Sequence, residues 1–295
     1  MVNPKGIYEQ SGVWTKIFIL FTITLFFTLI LSPLIGLITF SNPSDIGLLK
    51  LSQLLLSVGV IVLPPFALAY LISIKPLIFL HLDKKKVNWI DIIFVVMFMI
   101  IIIPFLNLLG DINQHVVLPK VFSGLEMWMK TSEAQALQLT EKFLNVHSIQ
   151  GLFFNIFLIA LIPAIGEEIY FRGALQGIIQ QRSGIKISIW ITAIIFSTIH
   201  FQFYGFLPRM LMGAFFGYLL FWSENLWLPI VAHFTNNVIA VIFYYLKFNG
   251  INIPDIDSIG FGNTVWIGLV SGTIGIFGFL LLKRRLLIRK GNSLN

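Results

Sequence analysis

The sequence predicts an all-α, polytopic membrane protein, a bundle of about eight transmembrane helices. Three observations carry that expectation. Hydrophobic residues make up 57% of the 295 positions and charged residues only 11%, against about 25% charged in a typical soluble domain. The mean hydropathy is +0.89. Apolar runs also recur near the length of about 20 residues that a helix needs to cross a hydrocarbon core.

Those runs are 17–40, 51–73, 88–108, 152–178, 185–202, 207–222, 226–247 and 264–282. The first is too long for the apolar region of a signal peptide, and no small-x-small cleavage pattern follows it. It is expected to be a retained span. The fifth and sixth are short and broken by polar residues. Between the third and fourth runs, residues 109–151 form a long connection holding "LEMWMKTSEAQALQLTEKFLNV" (125–146). Leu125, Trp128 and Met129 share a helical face there, so this region reads as an extracytoplasmic amphipathic helix lying on the membrane or the bundle. The loop 248–263, with Asp255 and Asp257, reads as a solvated connector. Gly213 and Gly217, and Gly268, Gly272 and Gly275, give two helices small faces for close packing within one bundle. The whole chain, 1–295, is expected to be a single integral membrane domain, with 152–247 as a four-helix catalytic core.

A net charge of +7 would suggest nucleic acid in a soluble protein. Here the basic residues cluster beside apolar runs, as in Lys84, Lys85 and Lys86, or Lys283, Arg284 and Arg285. That placement is a topology signal, and nucleic acid is not an expected partner. With a cytoplasmic N-terminus, 14 of the 20 basic residues fall inside. Lys50, Lys120, Lys130, Lys142, Arg209 and Lys247 fall outside. Both termini are therefore expected in the cytoplasm of a cell whose inner membrane holds the protein, and short loops without cysteine suit a bacterium. The absence of cysteine also excludes disulfides and thiolate chemistry.

Few ionisable residues lie within the apolar runs: Glu167, Glu168, Arg172, His200 and His233, with Asp91 and Arg209 near ends. A charged side chain at mid-bilayer costs about 2.5–3.5 kcal/mol on insertion scales, so such residues need a reason. Glu168 and Arg172, four apart, can pair on one helix face. Glu167 is turned from that face by about 100°. The segment "QQRSGIK" (180–186) makes a polar turn; Glu167 lies 17 residues before its Gly184 and His200 lies 16 after. In an antiparallel hairpin those equal offsets put Glu167 and His200 at one depth. His233, eight residues beyond the turn "SEN" (223–225), reaches a similar level, with Asn237 one turn on. The four groups are thus expected together, on the cytoplasmic side.

These residues resemble the CAAX protease and bacteriocin-processing (CPBP, or Abi) family of intramembrane proteases. Its E-E-x-x-x-R motif reads as Glu167, Glu168 and Arg172, its F-x-x-x-H as Phe196 and His200, and its H-x-x-x-N/D as His233 and Asn237. The motifs cover roughly 164–240 in the family's order. The resemblance implies an α-helical bundle that cuts membrane-associated peptides. Eukaryotic members remove the last three residues of prenylated proteins, and bacterial ones are linked to bacteriocin immunity or peptide maturation. No prenyl-recognition feature stands out here, so peptide hydrolysis carries over and the CAAX substrate does not.

On that basis the expected nucleophile is water. Glu167 is the expected general base with His200 orienting the water, His233 and Asn237 stabilise the oxyanion, and Glu168, Arg172 and Phe196 support them. A second mechanism stays open, in which Glu167, His200 and His233 hold zinc. So do two other functions for the same residues. One is a proton-coupled transporter; the other is a catalytically silent immunity or scaffold protein.

Overall fold

The computed structural model describes residues 4–40, 42–83 and 87–292. The cluster Lys84, Lys85 and Lys86 lies outside the described residues. The described residues form helices and no strand. The labels used below are α1 (Val13–Thr39), α2 (Ile46–Ile72), α3 (Trp89–Gln114), α4 (Ser123–Leu144), α5 (Ile149–Ser183), α6 (Ile185–Thr198), α7 (Phe206–Ser223), α8 (Trp227–Phe248) and α9 (Val265–Asn292). Seven helices among the described residues are long and apolar enough to cross a membrane, and α4 and α6 are not among them. This is a multi-pass membrane protein.

The expected fifth span is the one that differs. Instead of filling 185–202, α6 is a 14-residue helix that stops at Thr198, a rise of about 21 Å. Phe201 then adopts φ 53°, a left-handed conformation uncommon for a bulky residue. The chain turns through 199–205 before α7 begins. His200 therefore stands at the broken end of a short helix rather than inside a long one.

Polar contacts sort the loops to two ends of the bundle. Lys16 donates to Gln181 Oε1 (3.2 Å), joining the start of α1 to the end of α5. Asp91, at the start of α3, takes both Arg285 and Arg289 from the end of α9. Lys290 pairs with Glu224 at 2.7 Å, which adds the α7–α8 turn to that end. At the opposite end, the Asn113 amide donates to Phe203 O (2.7 Å), and its Oδ1 accepts from Leu207 N. The α4 side chain Trp128 packs on Phe201 and Phe203. Three residues from the topology tally turn out to be buried, Lys16 among them. Arg172 is wholly buried mid-helix, and Lys50 is buried with its ammonium donating to Asn155 Oδ1 at 2.7 Å.

Two long helices widen locally, for a chemical reason. Ser57–Val62 in α2 and Ile156–Leu161 in α5 are π-helical, and prolines follow both, Pro64 and Pro65 in one helix and Pro163 in the other. Proline has no N–H to donate back along the helix, and a widened turn absorbs the defect. The widened segments meet: a Cβ on Gly166 would lie 2.8 Å from Val62 Cγ2, so α5 rests on α2 at the residue before Glu167. On the other flank α9 seats its glycines on α3. Added Cβ atoms at Gly272 and Gly275 would approach Phe105 and Ile102 to 2.6 and 2.2 Å. Both glycine faces serve packing within the chain.

The loop after α8 is mostly exposed, Asp255 and Asp257 included, as expected of a solvated connector, and it is also anchored to α3. Ile256 O and Ile259 O both accept from the Asn107 amide, and Gly260, at φ 118°, lies against Pro104 O, where a Cβ would come within 2.0 Å. The loop is docked on α3, and partial burial pushes the Asp257 carboxyl above its ordinary value of 3.8, with Asp255 adding to the rise. A carboxyl raised on folding contributes stability when protonated and loses it as pH climbs through the folded value. Asp257→Asn should therefore raise the thermal midpoint at neutral pH. The gain should vanish below about pH 4, the ordinary aspartate range, in a pH series of melting curves.

Candidate active site

The site is built on the middle of α5. Glu167 and Glu168 close an α-helical turn, Ile162–Glu168, and the following Ile169–Gln176 is π-helical. Such bulges recur at functional sites because they reset the direction of the side chains around them. Here the two glutamates face different neighbours, as their one-residue step requires.

Glu168 faces inward. Its Oε1 accepts from Arg172 Nη1 at 2.7 Å, and both side chains are fully buried. Arg172 Nη2 donates to Gly213 O at 3.1 Å. A Cβ on Gly213 would come within 3.1 Å of that nitrogen and 3.2 Å of Phe196, so the glycine gives the guanidinium access to a bare carbonyl. One turn on, Gln176 repeats the arrangement with Gly217 O at 3.4 Å. Phe196 and Phe216 sandwich the cation, their ring centres 4.4 and 5.3 Å from Arg172 Cζ, a favourable cation–π placement.

The same Glu168 oxygen accepts from His233 Nδ1 at 2.9 Å. An arginine-paired carboxylate only accepts, so Nδ1 carries the hydrogen. Phe216 stacks on this imidazole at 5.3 Å and 21°, holding its plane. His200 is oriented in the same way: its Nδ1 donates to Phe196 O at 2.7 Å, and the Phe196 ring packs edge-on against it at 4.9 Å. With both Nδ1 atoms committed as donors, each neutral ring presents an Nε2 lone pair.

Those two Nε2 atoms point at Glu167. Its Oε2 lies 3.8 Å from His200 Nε2 and 3.9 Å from His233 Nε2. The oxygen is buried and has no hydrogen-bond partner. Three acceptors thus converge from α5, α8 and the end of α6. Acceptors cannot bond one another; a group that donates to several of them at once fits between them, as a water molecule does.

Asn237 lines the same cavity of about 350 Å³ together with Glu167, His200 and His233. Its Oδ1 accepts from the Asn236 amide at 3.3 Å, and Asn236 also lines the cavity. All seven residues singled out from the sequence are brought together. The structure gives the site's position relative to the 180–186 turn. Glu167 sits midway along α5, and the cavity above it is bounded by Thr140 and Leu144 of α4 and Tyr244 of α8, at the end opposite the 180–186 turn.

No group of three or more His, Cys, Asp or Glu among the described residues is arranged to hold a metal ion. The 3.8 and 3.9 Å separations around Glu167 exceed the roughly 3.3 Å between ligands of tetrahedral zinc. The three side chains as placed do not fit zinc.

Sequence reasoning missed Phe216, Gln202 and Tyr244, and treated Arg209 as a residue near a span end. Arg209 and Gln202 line the cavity too. A second cleft of about 410 Å³ shares Met212, Asn236 and Ala240 with it, and carries Asp111, Glu133 and Asp257.

Residues 149–239 match the family model described as type II CAAX prenyl endopeptidase Rce1-like. This segment is thus similar to that endopeptidase family. All seven site residues lie within it. Among curated proteins, the "Putative membrane peptidase YdiL" of Bacillus subtilis (strain 168) is 29% identical over 103 residues. That alignment covers 35% of this chain and 41% of the relative. The "Uncharacterized protein YpbD" of the same organism is 28% identical over 100 residues, 32% of this chain and 47% of the relative. The chain thus spans less than half the length of these two relatives. No solved structure matches it.

Proposed function

We propose that the protein is an intramembrane endopeptidase that hydrolyses a peptide bond of a membrane-associated peptide or protein. One observation carries this reading: the buried, unpartnered Oε2 of Glu167 faces two imidazole nitrogens whose outer N–H groups are already committed. A water held among these acceptors has its hydrogens directed at Glu167 and a ring nitrogen. Its lone pair is left for a carbonyl carbon.

In the proposed reaction the water oxygen bonds to the scissile carbon as Glu167 takes its proton, with His200 fixing the water's orientation. The carbonyl oxygen becomes an oxyanion. The Asn237 amide donates to it, and His233, its ring fixed by the Nδ1 bond to Glu168, flanks the reacting water. Collapse of the intermediate breaks the C–N bond, and the proton on Glu167 passes to the departing amine. Glu168, Arg172 and Phe196 hold the two rings and neutralise the second glutamate. No cysteine, and no covalent intermediate, is required.

The substrate class is a proposal at the same level: a peptide or protein presented within the bilayer, without a prenyl requirement. Comparing peptide termini in host membrane fractions from wild type and Glu167→Gln tests it. Termini present only with the wild-type enzyme are expected; identical profiles refute the reading. Cleavage by the purified protein should also survive a strong zinc chelator, and loss on chelation with recovery on adding zinc would overturn the metal-free mechanism.

We place the protein in a bacterial inner membrane with both termini cytoplasmic, on the basic-residue distribution. The cysteine-free chain makes this testable. A cysteine at Gln10 and one at Ser258, both exposed positions at opposite ends of the bundle, should react with an impermeant thiol reagent only from inside and only from outside, respectively. The reversed pattern would invert the assignment.

A further inference from the structure

Arg209 takes no part in the reaction above, yet it is the one Lys or Arg lining the cavity of Glu167, His200, His233 and Asn237. It is held from behind. Nη1 donates to Gln202 O at 3.1 Å and Nη2 to Gln202 Oε1 at 2.9 Å. The guanidinium lies over Gly205, where a Cβ would come within 3.0 Å of Nη2. Gln202 and Gly205 belong to the turn created by the early stop of α6. That turn therefore serves as a cradle for this one cation.

Both acceptors are uncharged, so they fix the direction of the guanidinium without cancelling its charge. No carboxylate oxygen among the described residues pairs with it within 4.0 Å; Glu133 and Glu167 act on it only from farther off, through space. Arg172 shows the opposite design: paired with Glu168, sandwiched between rings and closed to any ligand. A guanidinium has five N–H donors, and two of these are used on Gln202. Those remaining, in a fixed fork beside the candidate nucleophile, suit a planar acceptor with a single negative charge. Glu167 in the same cavity would disfavour a doubly charged group such as phosphate.

We infer that Arg209 binds a carboxylate of the substrate, so that the cavity selects peptides bearing one close to the scissile bond. The inference rests on the protease reading, and its chemistry has two sources, a free C-terminus or an Asp or Glu side chain. Binding to Glu167→Gln protein in nanodiscs tests it without turnover. The probes are an N-acetylated apolar pentapeptide acid, its C-terminal amide, and amides carrying one internal Glu or Gln. At least one acid-bearing probe should bind about tenfold or more tightly than its neutral counterpart, and which one does so identifies the source. The preference should disappear in the Arg209→Gln background and return in part with Arg209→Lys. Gly205→Ala, which displaces the guanidinium but keeps its charge, should also weaken it. Equal binding of acids and neutral peptides, or a preference that survives Arg209→Gln, would overturn the inference. Failure of the wild-type enzyme to cut any probe would bear on hydrolysis and leave the binding comparison standing.

Discussion

Glu167→Gln is expected to lower turnover by at least about a thousandfold, within the 10²–10⁴ range for loss of a positioned general base, while leaving the bundle folded. The geometry separates the two effects. Glu167 is 18% exposed to the cavity, makes no ion pair within normal bonding distance, and its Oε2 has no hydrogen-bond partner. The amide is nearly isosteric, so the neighbouring contact of Gly166 with α2 is retained, and no hydrogen-bond partner of Oε2 is orphaned. The melting curve should therefore move little or rise. Asn237→Ala, which removes one oxyanion donor, should cost roughly 10²–10³ in kcat. His200→Ala should cost a similar factor through lost orientation of the water. Single-turnover cleavage of a reconstituted substrate would rank the variants. Substantial turnover by Glu167→Gln would remove the base from the mechanism and favour the scaffold or transporter reading of the same cavity.

Much of this site was legible because the chain is so poor in charge. In a soluble protein a Glu, two His and an Asn carry little signal; in eight apolar runs each one has to be explained. The hairpin argument worked for an elementary reason. Glu167 and His200, at offsets of 17 and 16 residues from Gly184, have side chains 3.8 Å apart, because two helices leaving one turn rise nearly in step. The π-helical 169–176 and the early end of α6 do not undo the match. What was hidden depends on backbone atoms and on common residue types. Gly213 O and Phe196 O serve as acceptors no side-chain pattern reveals. Phe216 is one of 29 phenylalanines until its ring is found on His233. The early end of α6 was also invisible, since 185–202 is apolar enough to continue, and the turn that carries Gln202 and seats Arg209 went with it. Lys50 looked like a flanking topology charge because hydropathy cannot register its partner, Asn155, 105 residues away.

Glu168→Gln and Arg172→Met should each destabilise the protein strongly, and combining them should restore most of the loss. Removing one member of a buried ion pair leaves an uncompensated charge, typically at a cost of about 3–5 kcal/mol, whereas replacing both members by groups of similar volume is often near neutral. Both side chains here are fully buried, 2.7 Å apart, and the aromatic walls from Phe196 and Phe216 would accept a methionine. Arg172→Met is the cleaner single variant, since it strands Glu168 with only His233 as a partner. Activity should not follow stability back. In the double variant the amide at 168 can present an N–H as well as an oxygen to His233 Nδ1, so it no longer fixes that ring's hydrogen and orientation beside the water even in a folded bundle. Thermal unfolding in detergent together with cleavage rates on all three variants would separate the two roles. A double variant that recovers stability and full activity would make the pair a packing device alone. A stable Arg172→Met single variant would mean that the charge on Glu168 is neutralised by His233 without the arginine.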